Sequence, residues 1–443
     1  MKYYTILTEE VPSKNEISFL AREVLMISQN FDYLIEPVIE VASFTGEWLI
    51  TVNSHINIIV KLFKGESSCV DYILFDGLVD DNTNAGNALC ILESTKTSDK
   101  SSRNTSVYQR ITKFLVFKKM HPESQAKMVM FYNAKWNNII PSKTAIFGLR
   151  MMKTLGIDAY HSDDVDYENL LTKFSIIEFL TIEDMIESKK CITSKKGNVP
   201  VEIINNGDSK YVISCKLDKG VSSNSGKISH DPNVGLLSGL VNIIHNFDRL
   251  SEIKIVNHNI NQLYFDKLPT SKFWYAIDGT NVNFENVIII KQPMLPSKYF
   301  ALEKRSTEKL STILYSQLIS KDYKCIFSNH SGCALTNIIT KGDDIIVERT
   351  MTRPDILFYN EVKNELLLIE GKVEKDIILG VKQLGENHLE RFAKLVKDAY
   401  PNSNLRKGLC ITIDSVDNMH KYTNLDYPVL FALDTNGTHV IIE

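Results

Sequence analysis

The segment PDILFYNEVKNELLLIEGK (354–372) constrains the chain more than any other. ELLLIE is a near-continuous apolar run, the pattern of a central strand covered on both faces. Charged residues end it abruptly at Glu370 and Lys372. Side chains alternate across a strand, so these two point one way and Gly371 the other. PDILFY reads as a neighbouring strand opened by Asp355, with EVKNE as the turn between them. In such a hairpin Asp355 lands beside Glu370. Two carboxylates that close repel unless a divalent cation lies between them. Oxygen ligands with room for water suit Mg²⁺. A lysine on the same face can orient a water or stabilise charge on a phosphate, which together equips the segment for metal-assisted phosphodiester hydrolysis.

Arg353-Pro354-Asp355 followed by Glu370-Gly371-Lys372, set between an upstream and a downstream helical run, resembles the PD-(D/E)XK nuclease superfamily. The resemblance covers about the last third of the chain. It implies an αβββαβ core, Asp355 and Glu370 as metal ligands, and Lys372 as the catalytic lysine. Gln383, on the next helical run, stands where many members carry a polar residue facing the site.

A second copy of the pattern lies near the N-terminus. Asp71 in VDYILFDG precedes Glu93 and Lys96 in ALCILESTK, and Gln109 follows on a helical run. The strings DYILF and DILFY match in character, as do LCILES and LLLIEG. This copy lacks the proline, and its lysine comes one residue late (E-S-T-K), so Lys96 would face away from Glu93 on a regular strand. Asp76 rivals Asp71 for the acid. The polar, basic stretch after Glu93 suits a loop facing a phosphate backbone. Metal ligands are therefore expected at Asp71 and Glu93 as well as at Asp355 and Glu370, with Lys96 and Lys372 as the lysines.

The expected fold class is α/β with α+β character and mixed sheets: two αβββαβ domains flanking a middle segment. The division is 1–195 for an N-terminal nuclease-like domain, 196–300 for a DNA-recognition or linker domain, and 301–443 for the C-terminal nuclease domain. At roughly 100–200 residues per domain, 443 residues accommodate three. A linker is expected near KKGNVP (195–200). Helices are expected over NEISFLAREVLMISQNF, VYQRITKFLVFKKM, LLSGLVNIIHNF, ALEKRSTEKLSTILYSQLIS and DIILGVKQLGENHLERFAKLVKDAY. EPVIEVASF, WLITV, INIIVKLF, AKMVMFY, GLCITID and PVLFALD read as strands.

Other chemistries are weaker. GVSSNSGK (220–227) resembles a phosphate loop, but five residues separate its glycines and Ile228 replaces the hydroxyl residue, so no nucleoside triphosphate partner is expected. No G-x-S-x-G and no H-E-x-x-H occurs. Cys325, His330 and Cys333 lack zinc-ligand spacing. His230-Asp231-Pro232-Asn233 reads as a turn. Lys195, Lys196, Lys216, Lys219 and Lys227 read as solvated residues that could line a groove. The net charge of −4 excludes binding of nucleic acid by bulk charge and leaves room for a local basic cleft.

No stretch approaches the roughly 18 apolar residues of a membrane helix, and the opening MKYYTILTEEVPSK has no leader-like core. Seven scattered cysteines without C-x-x-C fit a reducing, cytoplasmic setting. The expected activity is a Mg²⁺-dependent endonuclease on double-stranded DNA, acting as a monomer or homodimer and most like a type II restriction enzyme, with one strand cut per domain. The alternatives are a nuclease of another DNA-processing or defence system, and a DNA-binding protein with degenerate nuclease domains.

Overall fold

The computed structural model describes residues 1–9, 14–27, 36–40, 43–53, 55–65, 69–95, 106–132, 141–162, 166–190, 201–215, 220–221, 228–229, 233–258, 263–265, 275–289, 299–304, 307–319, 321–328, 338–339, 344–345, 354–385 and 389–442. It is a mixed α/β protein with mixed sheets. Two compact units form: one comprises residues 1–13, 31–64 and 302–443, the other 14–30 and 65–301. This grouping departs from the division at 195 and 300. The N-terminal strands join the C-terminal third, and residues 196–300 group with 65–195 rather than standing apart.

In the first unit a six-stranded sheet runs in the order Lys324–Ser328, Ile356–Asn360, Glu365–Val373, Asn404–Ile413, Val429–Asp434 and His439–Ile441. Glu365–Val373 is central, antiparallel to Ile356–Asn360 and parallel to Asn404–Ile413. Its apolar run is explained by cover on both faces. Helix Glu308–Leu318 packs on the side of Gly371, where a Cβ would stand 2.6 Å from Thr312 Cγ2. On the other side Leu366 and Leu368 join Ile377, Leu384, Phe392 and Val396 of helices Ile377–Gly385 and Glu390–Ala399 in one buried cluster. The single helix expected over 376–400 is thus two, the first closing at Gly385, a residue that favours helix ends. The helix expected from Ala301 starts at Glu308, and Phe300–Leu302 is a short strand.

The same unit holds strands in the order Glu36–Glu40, Ser43–Asn53, Ile56–Gly65 and Lys2–Thr8, the last pair parallel. EPVIEVASF is therefore the two arms of a hairpin, not one strand. Two adjacent apolar strands in tight succession leave no compositional break between them.

The second unit's sheet runs Tyr72–Asp76, Cys90–Thr95, Lys127–Tyr132, Ile157–Ser162 and Tyr167–Asn169. Its pairings are antiparallel, parallel, parallel, antiparallel. The five strands from Ile356 to Ile441 follow the same sequence of senses. The repeat therefore extends over five strands in each unit. Helix Ser106–Met120 follows the second strand of this set, as Ile377–Gly385 does in the other.

Residues from 201 onward add Glu202–Asn205, Lys210–Cys215, Glu252–Asn257 and Asn281–Glu285 as a four-stranded sheet. Helix Asn233–Phe247 makes the crossover between the parallel strands Lys210–Cys215 and Glu252–Asn257. It packs on helix Ser106–Met120, where Thr112 Oγ1 and Ser238 Oγ lie 3.0 Å apart in the core. At Gly239 a Cβ would fall 2.2 Å from Met151 Cε, so glycine lets this helix sit close. Residues 275–277 are helical. The linker expected at 195–200 lies outside the described residues.

Candidate functional site

Asp355 directly precedes the strand Ile356–Asn360. Ile356 pairs with Ile369, so the antiparallel register carries Asp355 opposite Glu370. The Gly371 N–H donates to Asp355 Oδ2 at 2.7 Å and fixes that carboxylate at the strand end. Lys372 Nζ donates to Glu370 Oε1 at 2.9 Å. Glu370 is 5% and Lys372 8% exposed, so the two do not form a solvated surface pair. Glu370 Oε2 is buried and accepts no hydrogen bond among the described residues. A buried carboxylate oxygen left without a donor is costly.

Two glycines shape this arrangement. Gly371 has to be small because helix Glu308–Leu318 approaches it: beyond the Thr312 contact, a Cβ would meet Asp355 Oδ2 and the Glu308 carbonyl at 3.3 Å. Gly380 brings helix Ile377–Gly385 against the lysine stem, where a Cβ would stand 2.7 Å from Lys372 Cγ. Lys372 is thereby pressed over the sheet with its ammonium directed to Glu370. Gln383 on that helix carries a buried Oε1 with no hydrogen-bond partner among the described residues.

The electrostatics match the geometry. Burial raises the Glu370 pKa, to about 7; Asp355 adds to the rise and Lys372 opposes it. For Lys372, burial disfavours the charge, but Glu370, Asp355 and Glu308 outweigh it and the pKa is raised. Glu308, in the first turn of its helix, has its own pKa raised by burial, with Lys372 opposing and Asp355 and Asp376 adding. Sequence reasoning did not find Glu308. An acid in a first helical turn is ordinary helix chemistry and carries no functional signal by itself.

A carboxyl with a raised folded pKa binds more protons in the folded state between its two pKa values. Stability from that group is complete below about 4.5 and is lost as the pH rises through about 7. The metal-free protein is therefore expected to unfold at lower urea concentration at pH 7.5 than at pH 5. Glu370→Gln should flatten this difference. Equilibrium unfolding at both pH values checks it, and an unchanged slope in the variant would contradict it.

In the second unit Tyr72 pairs with Leu92, so Asp71 falls opposite Glu93. The Ser94 N–H donates to Asp71 Oδ2 at 2.8 Å, as Gly371 does to Asp355. Asp76 lies at the far, exposed end of that strand, so Asp71 is the acid that meets Glu93. Buried Thr95 stands where Lys372 stands in the other unit, and Lys96 lies outside the described residues. The cations come from helix Ser106–Met120 instead. Lys113 Nζ is 2.7 Å from Glu93 Oε2 and 3.4 Å from Asp71 Oδ1. Arg110 Nη1 donates to Glu93 Oε1 at 2.7 Å and to the Ser94 carbonyl at 2.6 Å. A spacing of three puts both cations on one helix face. Glu16, on helix Lys14–Phe19, accepts from Ser94 Oγ at 2.7 Å. Sequence reasoning missed Arg110, Lys113 and Glu16.

Gln109 belongs to helix Ser106–Met120, but its side chain lies outside the described residues, as do Arg353, His230, Asp231, His330, Cys333 and the lysines at 195, 196, 216, 219 and 227. Among the described residues no three His, Cys, Asp or Glu side chains gather into a metal-holding group, and no helix is long and apolar enough to cross a membrane. The divalent-ion reading thus rests on the Asp355–Glu370 pair. It fits there: the donors are hard carboxylate oxygens, and the undonated Glu370 Oε2 gains a counter-charge. No protein-family model, curated protein or solved structure matches the chain.

Proposed function

We propose that this protein is a divalent-metal-dependent endonuclease of the PD-(D/E)XK kind, hydrolysing phosphodiesters in double-stranded DNA and most like a type II restriction enzyme. One observation carries the reading: half-buried Asp355 and buried Glu370 meet at the end of a central strand, one oxygen of Glu370 has no donor among the described residues, and Lys372 leans over the same acid.

Asp355 and Glu370 would hold the ion, Mg²⁺ in the cell. Bound there, the ion would supply Lewis-acid charge to the phosphodiester and would lower the pKa of a water. The chain's own part is preorganisation. The Gly371 N–H holds Asp355 at the strand end before substrate arrives. Lys372 keeps one N–H on Glu370 Oε1 and has two more to give to the attacking water and to a phosphate oxygen, where negative charge grows as the bond breaks. Glu308 adds negative charge that keeps the lysine protonated.

The test is cleavage of a random-sequence duplex pool by the purified full chain, with Mg²⁺ and with EDTA. Cutting that needs Mg²⁺ and falls at one short sequence is expected. Mg²⁺-dependent cutting at structures or ends would place the enzyme in another DNA-processing system. Duplex binding without cleavage in Mg²⁺ or Mn²⁺ would overturn the catalytic reading.

A further inference from the structure

We propose that Arg110 and Lys113 occupy, in the second unit, the place a divalent cation would take, so that Asp71 and Glu93 form a latent metal centre closed by the protein's own charges. The proposal rests on the reading of Asp355 and Glu370 as a metal pair.

The two acid pairs share a backbone frame. Each has an aspartate just before one strand of a hairpin, a glutamate opposite it, and the next residue's N–H on aspartate Oδ2. They differ in what faces the remaining oxygens. At the first pair Lys372 is the cation that approaches among the described residues, and Glu370 Oε2 has no donor among them. At the second pair Arg110 takes Glu93 Oε1, Lys113 takes Glu93 Oε2, and Lys113 also reaches Asp71 Oδ1. Among the described residues Asp71 and Glu93 face two cations, whereas Asp355 and Glu370 face one, Lys372. Glu93 is 1% exposed, so a metal ion would bind there by displacing a half-buried, hydrogen-bonded ammonium. That exchange sacrifices charge-assisted bonds already made in a poorly solvated site. The chain then carries one working centre, and a double-strand break requires two chains or two successive events.

Mn²⁺ equilibrium dialysis on the full-length protein tests this. Wild type should bind one ion per chain. Asp355→Asn should bind none, and Glu93→Gln should still bind one. Arg110→Met/Lys113→Met should bind two. If that double variant does not fold by circular dichroism, Lys113→Met alone uncovers Glu93 Oε2 and Asp71 Oδ1 and should gain the ion. Two ions in wild type, with one lost in Glu93→Gln, would overturn the proposal. So would a folded Lys113→Met or double variant that gains no ion. No ion in wild type and one in the double variant would uphold the latent centre while removing the metal reading of Asp355 and Glu370.

Discussion

Asp355→Asn is expected to lower the single-turnover rate of duplex cleavage at saturating Mg²⁺ by about 10²–10³-fold, the size typical of removing one preorganised charge-stabilising group. The substitution keeps the side chain's volume, and its amide oxygen can still accept the Gly371 N–H that Asp355 Oδ2 accepts now. What it removes is the negative charge. The same change relieves Glu370 of its like-charged neighbour, the second cause of that acid's raised pKa. Metal-free Asp355→Asn should therefore be at least as resistant to urea as wild type near neutral pH. An inactive but equally stable variant separates loss of chemistry from loss of fold. Full activity in Asp355→Asn would show that the acid only caps its strand.

Lys113→Met is expected to destabilise the metal-free protein by about 3–5 kcal/mol, the cost of leaving a buried charge without its partner. Lys113 bonds Glu93 Oε2 at 2.7 Å and approaches Asp71 Oδ1 at 3.4 Å, and Arg110 satisfies only the other Glu93 oxygen. The lysine side chain is 17% exposed, against 12% for Asp71 and 2% for Glu93. Urea unfolding in EDTA reads the loss, and Mn²⁺ should restore part of it if the uncovered oxygens accept an ion. A loss below about 1 kcal/mol, the range of an exposed pair, would mean the network is not what neutralises Glu93.

These two centres also differ in how far the sequence exposed them. Asp355, Glu370 and Lys372 were legible because a single hairpin joins them: period-two alternation fixes the faces, and a short turn fixes the register. The same reasoning found Asp71 and Glu93. The pattern puts the lysine on the strand, at Lys96, whereas the cations that meet Glu93 stand on the helix. Lys113 lies 20 residues beyond Glu93. A helix surface carrying arginine and lysine is the ordinary solvated pattern, so only the packing of Ser106–Met120 over the strand ends gives Arg110 and Lys113 their role.

The division of the chain was hidden for a related reason. Strand Lys2–Thr8 and residues 56–64 group with residues from 302 onward, while the intervening helix Lys14–Phe19 groups with 65–301. No composition shift, proline-rich stretch or charge run marks such an interleaving, because it is set by contacts between distant segments. The five-strand repeat was visible only at its hairpin and following helix. Beyond those, the two copies share strand senses but not side chains.

The most direct measurement is anomalous diffraction from crystals of the full chain soaked in Mn²⁺. The account predicts a single peak within coordination distance of Asp355 and of Glu370 Oε2, beside the Lys372 ammonium, and none at Asp71 and Glu93. Crystals that stay ordered in Mn²⁺ yet show no peak at Asp355 and Glu370 would contradict it.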